Sequence, residues 1–368
     1  MQVAAFDLTR QNQQLREPLE QAFQRVMASG NFILGDEVKN FESELADYLQ
    51  IKHAIAVANG SDALVLALMA LGVGPGDEVI VPAFTFFATA GSVSRLGATP
   101  VFVDVLPETF NIDPVAVRSR ITAKTKAIIP VHLFGMAADL DELQAIAGEH
   151  KIALIEDAAQ SLGAIYHGKP AGAIGDLGCL SFFPTKNLGC FGDGGMVVTN
   201  SDDLAGKLRM LRVHGASRKY YHELLGFNSR LDALQAALLR VKLTHLPDWL
   251  NRRREIAARY RQNLAGLTGI RLSVETEGHS YNQFTISCDK RDGLRGFLAG
   301  QGIGTTIYYP LALHQQPVFQ QLGYKQGDLP VSEALTGQVL SLPVFPELTS
   351  EEQDYVIAKI REFAGGNA

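Results

Sequence analysis

Five short apolar runs, set apart by segments of helical period, constrain this chain more than any other feature. HAIAVAN (53–59), DEVIVP (77–82), TPVFVDV (99–105), AIIPVHLFG (127–135) and IALIED (152–157) read as strands. Between them, GSDALVLALMALG, FFATAGSVSRLG and DLDELQAIAGEH place apolar residues at helical spacing. Strands that are apolar nearly throughout are buried on both faces. Their alternation with amphipathic helices therefore predicts an α/β fold, a mostly parallel sheet flanked by helices. Ligands of such sheets collect beyond the carboxyl ends of the strands, and Ser61, Phe86 and Asp157 all fall at or just past such ends.

The flanking chain extends this plan. REPLEQAFQRVMASG predicts a helix that stops at Gly30, and a second helix is expected over Asp36–Leu49. After a polar helix from Ser201 to Arg212, the stretch before Asn228 has no clean period and is rich in Lys, Arg, Tyr and His, which marks a functional loop. A long helical pattern follows, its character changes near Pro247, and Trp249 to Leu264 reads as a helix linking to a second domain. At 368 residues the chain suits one large domain with a smaller one attached, expected at 1–248 and 249–368. The second would hold the strand YNQFTISC, the helix RDGLRGFLAGQG and the loop TTIYYPLALHQQPVF, with the closing AGGNA frayed.

Bulk charge narrows the function. A formal net charge of −6 offers no basic field for nucleic acid or an anionic membrane. No run approaches the ~20 apolar residues of a membrane span. Cys179, Cys190 and Cys288 are odd in number and widely spaced, so neither a disulfide framework nor a metal site is expected. The opening MQVAAFDLTRQNQQLREPL carries charges and no apolar core of a signal peptide, so the expected location is cytoplasmic.

The chemistry concentrates between Ile152 and Asn200. Asp157 closes an apolar run where an unpaired carboxylate is costly, so it needs a cationic or hydrogen-bonding partner, backbone N–H groups being one alternative. Lys186 follows SFF and precedes glycines at 189, 192, 194 and 195, which allow backbone to approach a flat ligand closely. Desolvation would lower its amine pKa and make it a nucleophile and proton carrier. Upstream, a strand runs into a helix starting at Gly60-Ser61. That arrangement suits an anion, although Ser61 or Asp62 could equally be a helix cap. An acid for a pyridinium nitrogen and a lysine for an aldehyde are what pyridoxal phosphate chemistry most needs.

ANGSDAL, PAFTFFATA, EDAAQSLGA, SFFPTKNLGCFGDGG and GFNSRLDALQAA, in this order, resemble the DegT/DnrJ/EryC1/StrS aminotransferases, the nucleotide-sugar branch of fold-type I pyridoxal phosphate enzymes. The resemblance implies that Lys186 binds the cofactor's aldehyde and carries the proton, and that Asp157 partners the pyridine nitrogen. It also implies that Gln160 contacts the 3-hydroxyl and that Phe86 stacks on the ring. Gly60, Ser61 and Asp62 would meet the phosphate through backbone N–H groups and Ser181 through its hydroxyl. Asn228 would reach the phosphate held by the second subunit of a homodimer. Tyr308-Tyr309-Pro310 departs from the family, which often has histidine then tyrosine before the proline; Asp193 stands where glutamate is frequent.

The implied reaction is a two-half transamination, with L-glutamate as donor and a nucleotide-linked keto sugar as acceptor. The polar stretch supplies Arg218, Lys219, Tyr220, Tyr221 and Arg230 for phosphates, sugar oxygens and stacking, or is a solvated loop. Tyr309 and His314 are further substrate-side candidates. The pattern most resembles members that aminate C3 of dTDP-3-keto-6-deoxyhexoses; UDP-3-keto-hexuronate and 4-keto-sugar aminotransferases are the alternatives. A desulfurase of this fold type would need an exposed acceptor cysteine, for which only Cys190 is placed. A sugar-nucleotide sensor would usually carry a DNA-binding segment, and no basic helix-turn-helix is visible.

Overall fold

The computed structural model describes residues 1–366. Seven strands form the main sheet: β1 (His53–Val57), β2 (Glu78–Pro82), β3 (Thr99–Val103), β4 (Thr125–Ile128), β5 (Ala153–Asp157), β6 (Leu177–Ser181) and β7 (Gly195–Thr199). Their spatial order is 1-7-6-5-4-2-3. Only β7 runs antiparallel to its neighbours; β6, β5, β4, β2 and β3 pair in parallel. Both faces of the sheet are covered, as continuous apolar strands require. Ala54 and Ala56 of β1 enter the core built with the helices Arg16–Ser29, Asp36–Leu49 and Ala233–Leu243. Ile55 and Val57 point the other way, into the core with the Gly60–Ala70 helix.

That last helix is apolar nearly all round, and seven of its eleven residues are buried. Truncating a fully enclosed side chain such as Leu66 to alanine is expected to cost about 2–5 kcal/mol. Its N-terminus presses on the end of β6. A Cβ on Gly60 would come within 2.7 Å of the Ser181 Cβ, and one on Gly195 within 2.4 Å of the Asn59 carbonyl carbon. Glycine at both places lets the helix start lie directly over the strand ends.

A second, antiparallel sheet of β8 (Ile270–Leu272), β9 (Phe284–Cys288) and β10 (Val339–Leu342) packs with the Arg291–Gly300 and Ser350–Gly365 helices. The Leu246–Leu264 helix joins the two regions. Leu246, Trp249 and Leu250 enter a core of the main sheet, whereas Ile256, Ala257, Tyr260 and Leu264 enter the C-terminal core. From the C-terminal part, the chain after Thr306 crosses back over the main sheet. Leu313 N–H donates to the Ala83 carbonyl at 2.8 Å, and Leu313, Phe319 and Leu329 join the core below.

Two expected elements differ. The run from Ala127 was read as extended to Gly135, but β4 ends at Ile128. Pro130, with no N–H, interrupts the ladder, which resumes in register only as a single bridge from Val131 to Asp157 before the chain bends into a 3-10 turn over Leu133–Gly135. The change near Pro247 is a helix boundary as expected: the helix read from Trp249 to Leu264 starts at Leu246, after a break at Thr244 and His245, with Pro247 in its first turn. The last helix runs through Gly365, so Ala364 and Gly365 of the closing AGGNA are ordered into it; Asn367 and Ala368 lie outside the described residues.

Candidate active site

A cavity of about 570 Å³ opens over the carboxyl ends of β2, β5 and β6, the size of a small-molecule site. The helix start brings Gly60 and Ser61 to it, the turn after β2 brings Phe86, and β5 brings Asp157 and Gln160. Ser181 and Lys186 come from the β6–β7 connection. Tyr309 arrives from the crossing segment. Residues 125 positions apart in sequence thus share one wall because parallel strands all end on one side of the sheet.

Asp157 is buried, and its carboxylate accepts from the Thr89 hydroxyl (Oδ2, 2.8 Å) and the Ala159 N–H (Oδ1, 3.2 Å). Burial pushes its carboxyl above the usual value. The Thr89 and Ala159 bonds and the Lys186 charge act in the opposite direction. Lys186 is half-buried, and desolvation pulls its ammonium down to about 8 against the attraction of Asp157. Near physiological pH a minor fraction of this amine is neutral, far more than in an ordinary surface lysine.

Behind Asp157, on the same strand, Glu156 is fully enclosed. Its carboxylate takes the His132 ring N–H (2.7 Å) and the N–H groups of Gly172, Ile174 and Gly175 (2.7, 2.7 and 2.6 Å). The Ala138 N–H donates to His132 Nδ1, which fixes the ring proton on Nε2 and aims it at Glu156. Burial alone would raise this carboxyl; the His132 bond and the backbone donors outweigh it, and its pKa is lowered. The backbone N–H of His132 donates to the Asp157 carbonyl at 3.1 Å, so this network fixes the strand end that presents Asp157.

Asn59 is the cap of the Gly60–Ala70 helix, in place of the Ser61 or Asp62 considered from sequence. Its Oδ1 accepts the Asp62 N–H at 2.8 Å. That bond engages the Asp62 N–H, and Asp62 is not on the cavity wall. The Gly60 and Ser61 N–H groups, in the first turn, have no intrahelical acceptor and lie at the cavity. Phe86 is 56% exposed and so has a ring face free for a flat ligand.

The remaining sequence candidates lie away from this cavity within one chain. Lys219 and Tyr220 are exposed at the turn of a ribbon formed by Ala216–Arg218 and Tyr221–His222, with Lys219 Nζ 5.2 Å from the Tyr220 ring centre. Asn228 is exposed and forms an isolated bridge to Val213, and Arg230 is half-buried nearby. His314 is enclosed, its Nε2 3.1 Å from Glu333 Oε1, and it does not line the cavity. Cys190 is buried with its thiol on the Phe182 carbonyl, and burial pushes it up to about 11, which removes the exposed nucleophile a desulfurase needs.

Sequence reasoning passed over Thr89, Asn59 and Gln283. Thr89 had a readable signal: it follows Thr85 by one helical turn in TFFATA, and the two hydroxyls lie 3.4 Å apart. Gln283 had none, since only the return of the C-terminal part to the sheet puts it on the wall.

A buried acid held by neutral donors, a desolvated amine, free helix-start N–H groups and an open aromatic face fit pyridoxal phosphate, group for group. Residues 13–361 match the DegT/DnrJ/EryC1/StrS aminotransferase family. The chain is 54% identical over 367 residues to the pleiotropic regulatory protein of Geobacillus stearothermophilus, covering 99% of each. It is 45% identical over 364 residues to the dTDP-3-amino-3,4,6-trideoxy-alpha-D-glucose transaminase of Streptomyces venezuelae, covering 98% of this chain and 96% of that one. The crystal structure of S. venezuelae DesV in complex with a ketimine intermediate superposes with a TM-score of 0.97 at 45% identity, covering 99% and 98% of the two chains. The protein belongs to the DegT/DnrJ/EryC1/StrS aminotransferase family. It is a pyridoxal-phosphate-dependent aminotransferase with the fold-type I architecture.

Proposed function

We propose that this enzyme transfers the amino group of L-glutamate to a nucleotide-linked keto sugar, with C3 of a dTDP-3-keto-6-deoxyhexose as the acceptor position. The observation that carries the reading is the meeting of Lys186, Asp157, Gln160 and the Gly60–Ser61 N–H groups in one cavity, in a chain whose relatives are named as sugar transaminases. Bound pyridoxal phosphate would supply the aldehyde that takes up the amino group and a ring that withdraws electrons from the reacting carbon.

The protein groups have separable tasks. Asp157, held by Thr89 and Ala159, keeps the ring nitrogen protonated. Gly60 and Ser61 N–H and the Ser181 hydroxyl hold the phosphate, and Phe86 covers one ring face. Lys186 Nζ removes the α-proton of the donor and returns a proton to the sugar carbon. Its position beside both carbons provides orientation as well as base strength. A helix of this chain long and apolar enough to cross a membrane does not occur among the described residues; the reading places the enzyme in the cytoplasm with reduced thiols.

In the same reading, residues 1–248 hold the cofactor, 249–368 close over it, and two chains share their sites. Asn228, Lys219, Tyr220 and Arg230 then serve the cavity of the second subunit, and Tyr309 belongs to the substrate side, whereas His314, enclosed against Glu333, takes no part. Leu225 of this loop is 91% exposed, and Leu224 and Phe227 are also open, which supports a face covered by another copy. The test is a panel of dTDP- and UDP-amino sugars run in reverse with 2-oxoglutarate and read by mass. Turnover of the dTDP-3-amino-6-deoxyhexoses alone is expected. Turnover confined to 4-amino sugars or UDP-3-amino-hexuronates would replace this acceptor.

A further inference from the structure

We propose that Tyr309 and Gln283 form a neutral binding site for the α-carboxylate of the amino donor, a deepening of the transaminase reading above. The direction of one hydrogen-bond chain carries the argument. A backbone N–H can only donate, and that of Phe134 lies 2.7 Å from Gln160 Oε1, which fixes which way the amide faces. Gln160 Nε2 therefore points at Tyr309 Oη, 2.9 Å away, and donates to it. With its oxygen accepting, the phenol directs its own hydrogen elsewhere, and it has no other hydrogen-bond partner among the described residues. The ring is fixed between Phe84 and Phe86, with centroids 6.1 and 6.2 Å away. Tyr309 lines the cavity, so the O–H is a donor aimed at a ligand.

Gln283 stands on the same support. Its N–H donates to the Phe134 carbonyl at 3.2 Å, so both it and Gln160 take their position from one residue. Its neighbour Asn282 donates to the Thr185 carbonyl (3.4 Å) and to Asn187 Oδ1 (3.2 Å), one residue to each side of Lys186. Gln283 lines the cavity, and its side-chain amide makes no hydrogen bond among the described residues. The oxygen is shut in without a partner, which leaves the NH2 as the end open to ligand.

The charge on the wall selects the ligand. Lys186 is the only cationic side chain among the described residues lining the cavity, which also holds Asp157 and Asp193. A carboxylate has acceptors and no donor, and it must be hydrogen-bonded when it leaves water. The amino donor carries such a group on the very carbon that Lys186 deprotonates. The acceptor sugar carries hydroxyls there, which can donate for themselves. An O–H and an NH2 on the cavity wall that also carries the amine, each without a protein acceptor among the described residues, match the first substrate.

The test uses the holoenzyme and its half-reactions, followed by the cofactor's visible band. Glutamate is compared with 4-aminobutyrate, which lacks the α-carboxylate, and with a dTDP-amino sugar. Tyr309→Phe and Gln283→Leu are each expected to raise half-saturating glutamate by about 10-fold or more. They should leave 4-aminobutyrate saturation within about 2-fold, and any loss with the amino sugar should be smaller than that with glutamate. Equilibrium titration with 2-methylglutamate, which has no α-hydrogen, should show the same weakening without any turnover. Retention of the visible band shows that each variant is folded.

Gln160→Glu would accept from both Phe134 N–H and Tyr309 O–H, turning the phenol away from the cavity. It should reproduce the glutamate loss, and adding Tyr309→Phe to it should weaken glutamate no further. Equal losses for glutamate and 4-aminobutyrate, or a loss confined to the amino sugar, overturn the carboxylate site. Wild-type enzyme bleached by amino sugar but by no amino acid overturns it too and leaves sugar transamination standing. Bleaching by neither overturns the transaminase reading itself.

Discussion

Replacing Lys186 with methionine should make the cofactor-free protein more stable at neutral pH, although it removes the residue on which the chemistry depends. The ammonium ionises at about 8 in the fold against 10.5 for the free side chain. At roughly 1.4 kcal/mol per tenfold, holding it charged at pH 7 costs about 3 kcal/mol. That cost is already net of the attraction to Asp157; with a discount for solvent screening of a side chain that is only half-buried, the expected gain is about 1–2 kcal/mol. The sign follows from the lowered value: between about 8 and 10.5 the unfolded chain binds the proton more tightly, so wild-type stability rises with pH across that window. The advantage of Lys186→Met should therefore be full below pH 8, shrink through the window and vanish above 10.5. Urea unfolding of both cofactor-free proteins at equal concentration measures this through the midpoint at constant slope. A variant no more stable at pH 7, or one whose advantage does not change with pH, would refute the desolvated-amine argument.

Thr89→Val removes the hydroxyl that bonds Asp157 Oδ2 and holds its carboxyl down, so the acid's pKa should rise further; cofactor retention, which needs the ionised acid, should fall off at a higher pH on acidification. Asn59→Ala removes the cap on the helix that faces the phosphate and should cost about 1 kcal/mol in urea unfolding. Glu156→Gln sets an NH2 against donors that now converge on a carboxylate, and a loss of about 3–5 kcal/mol is expected in the same assay. An unchanged midpoint would contradict the closed network drawn around that residue.

What could be read in the sequence follows from the range of the forces involved. The β1 strand and the Gly60–Ala70 helix were legible because their burial is written as local periodicity, and so was the placing of Ser61, Phe86 and Asp157 at strand ends. The apolar run continues past Pro130, but the missing N–H there breaks the regular strand at Ile128 and leaves only the Val131–Asp157 bridge beyond it. Asn59 rather than Ser61 caps the helix because the choice depends on the extended backbone at Asn59, which residue type alone does not give. His314 was read as substrate-facing in a loop; its ring is taken up by Glu333, nineteen residues on, a contact set by packing of the crossing segment. Gln283 carries no local signal at all, and its partners Phe134 and Lys186 meet it only once the C-terminal part folds back. The Lys219–Arg230 group is exposed on a single chain, and its assigned task requires a second one.

The central claim is that one particular amine holds the cofactor. Borohydride reduction of the holoenzyme, followed by proteolysis and mass mapping, tests it directly. The account predicts a single pyridoxyl tag on the peptide containing Lys186, at about one per chain. A tag on any other lysine, or none on a protein that binds the cofactor and turns over, would contradict it.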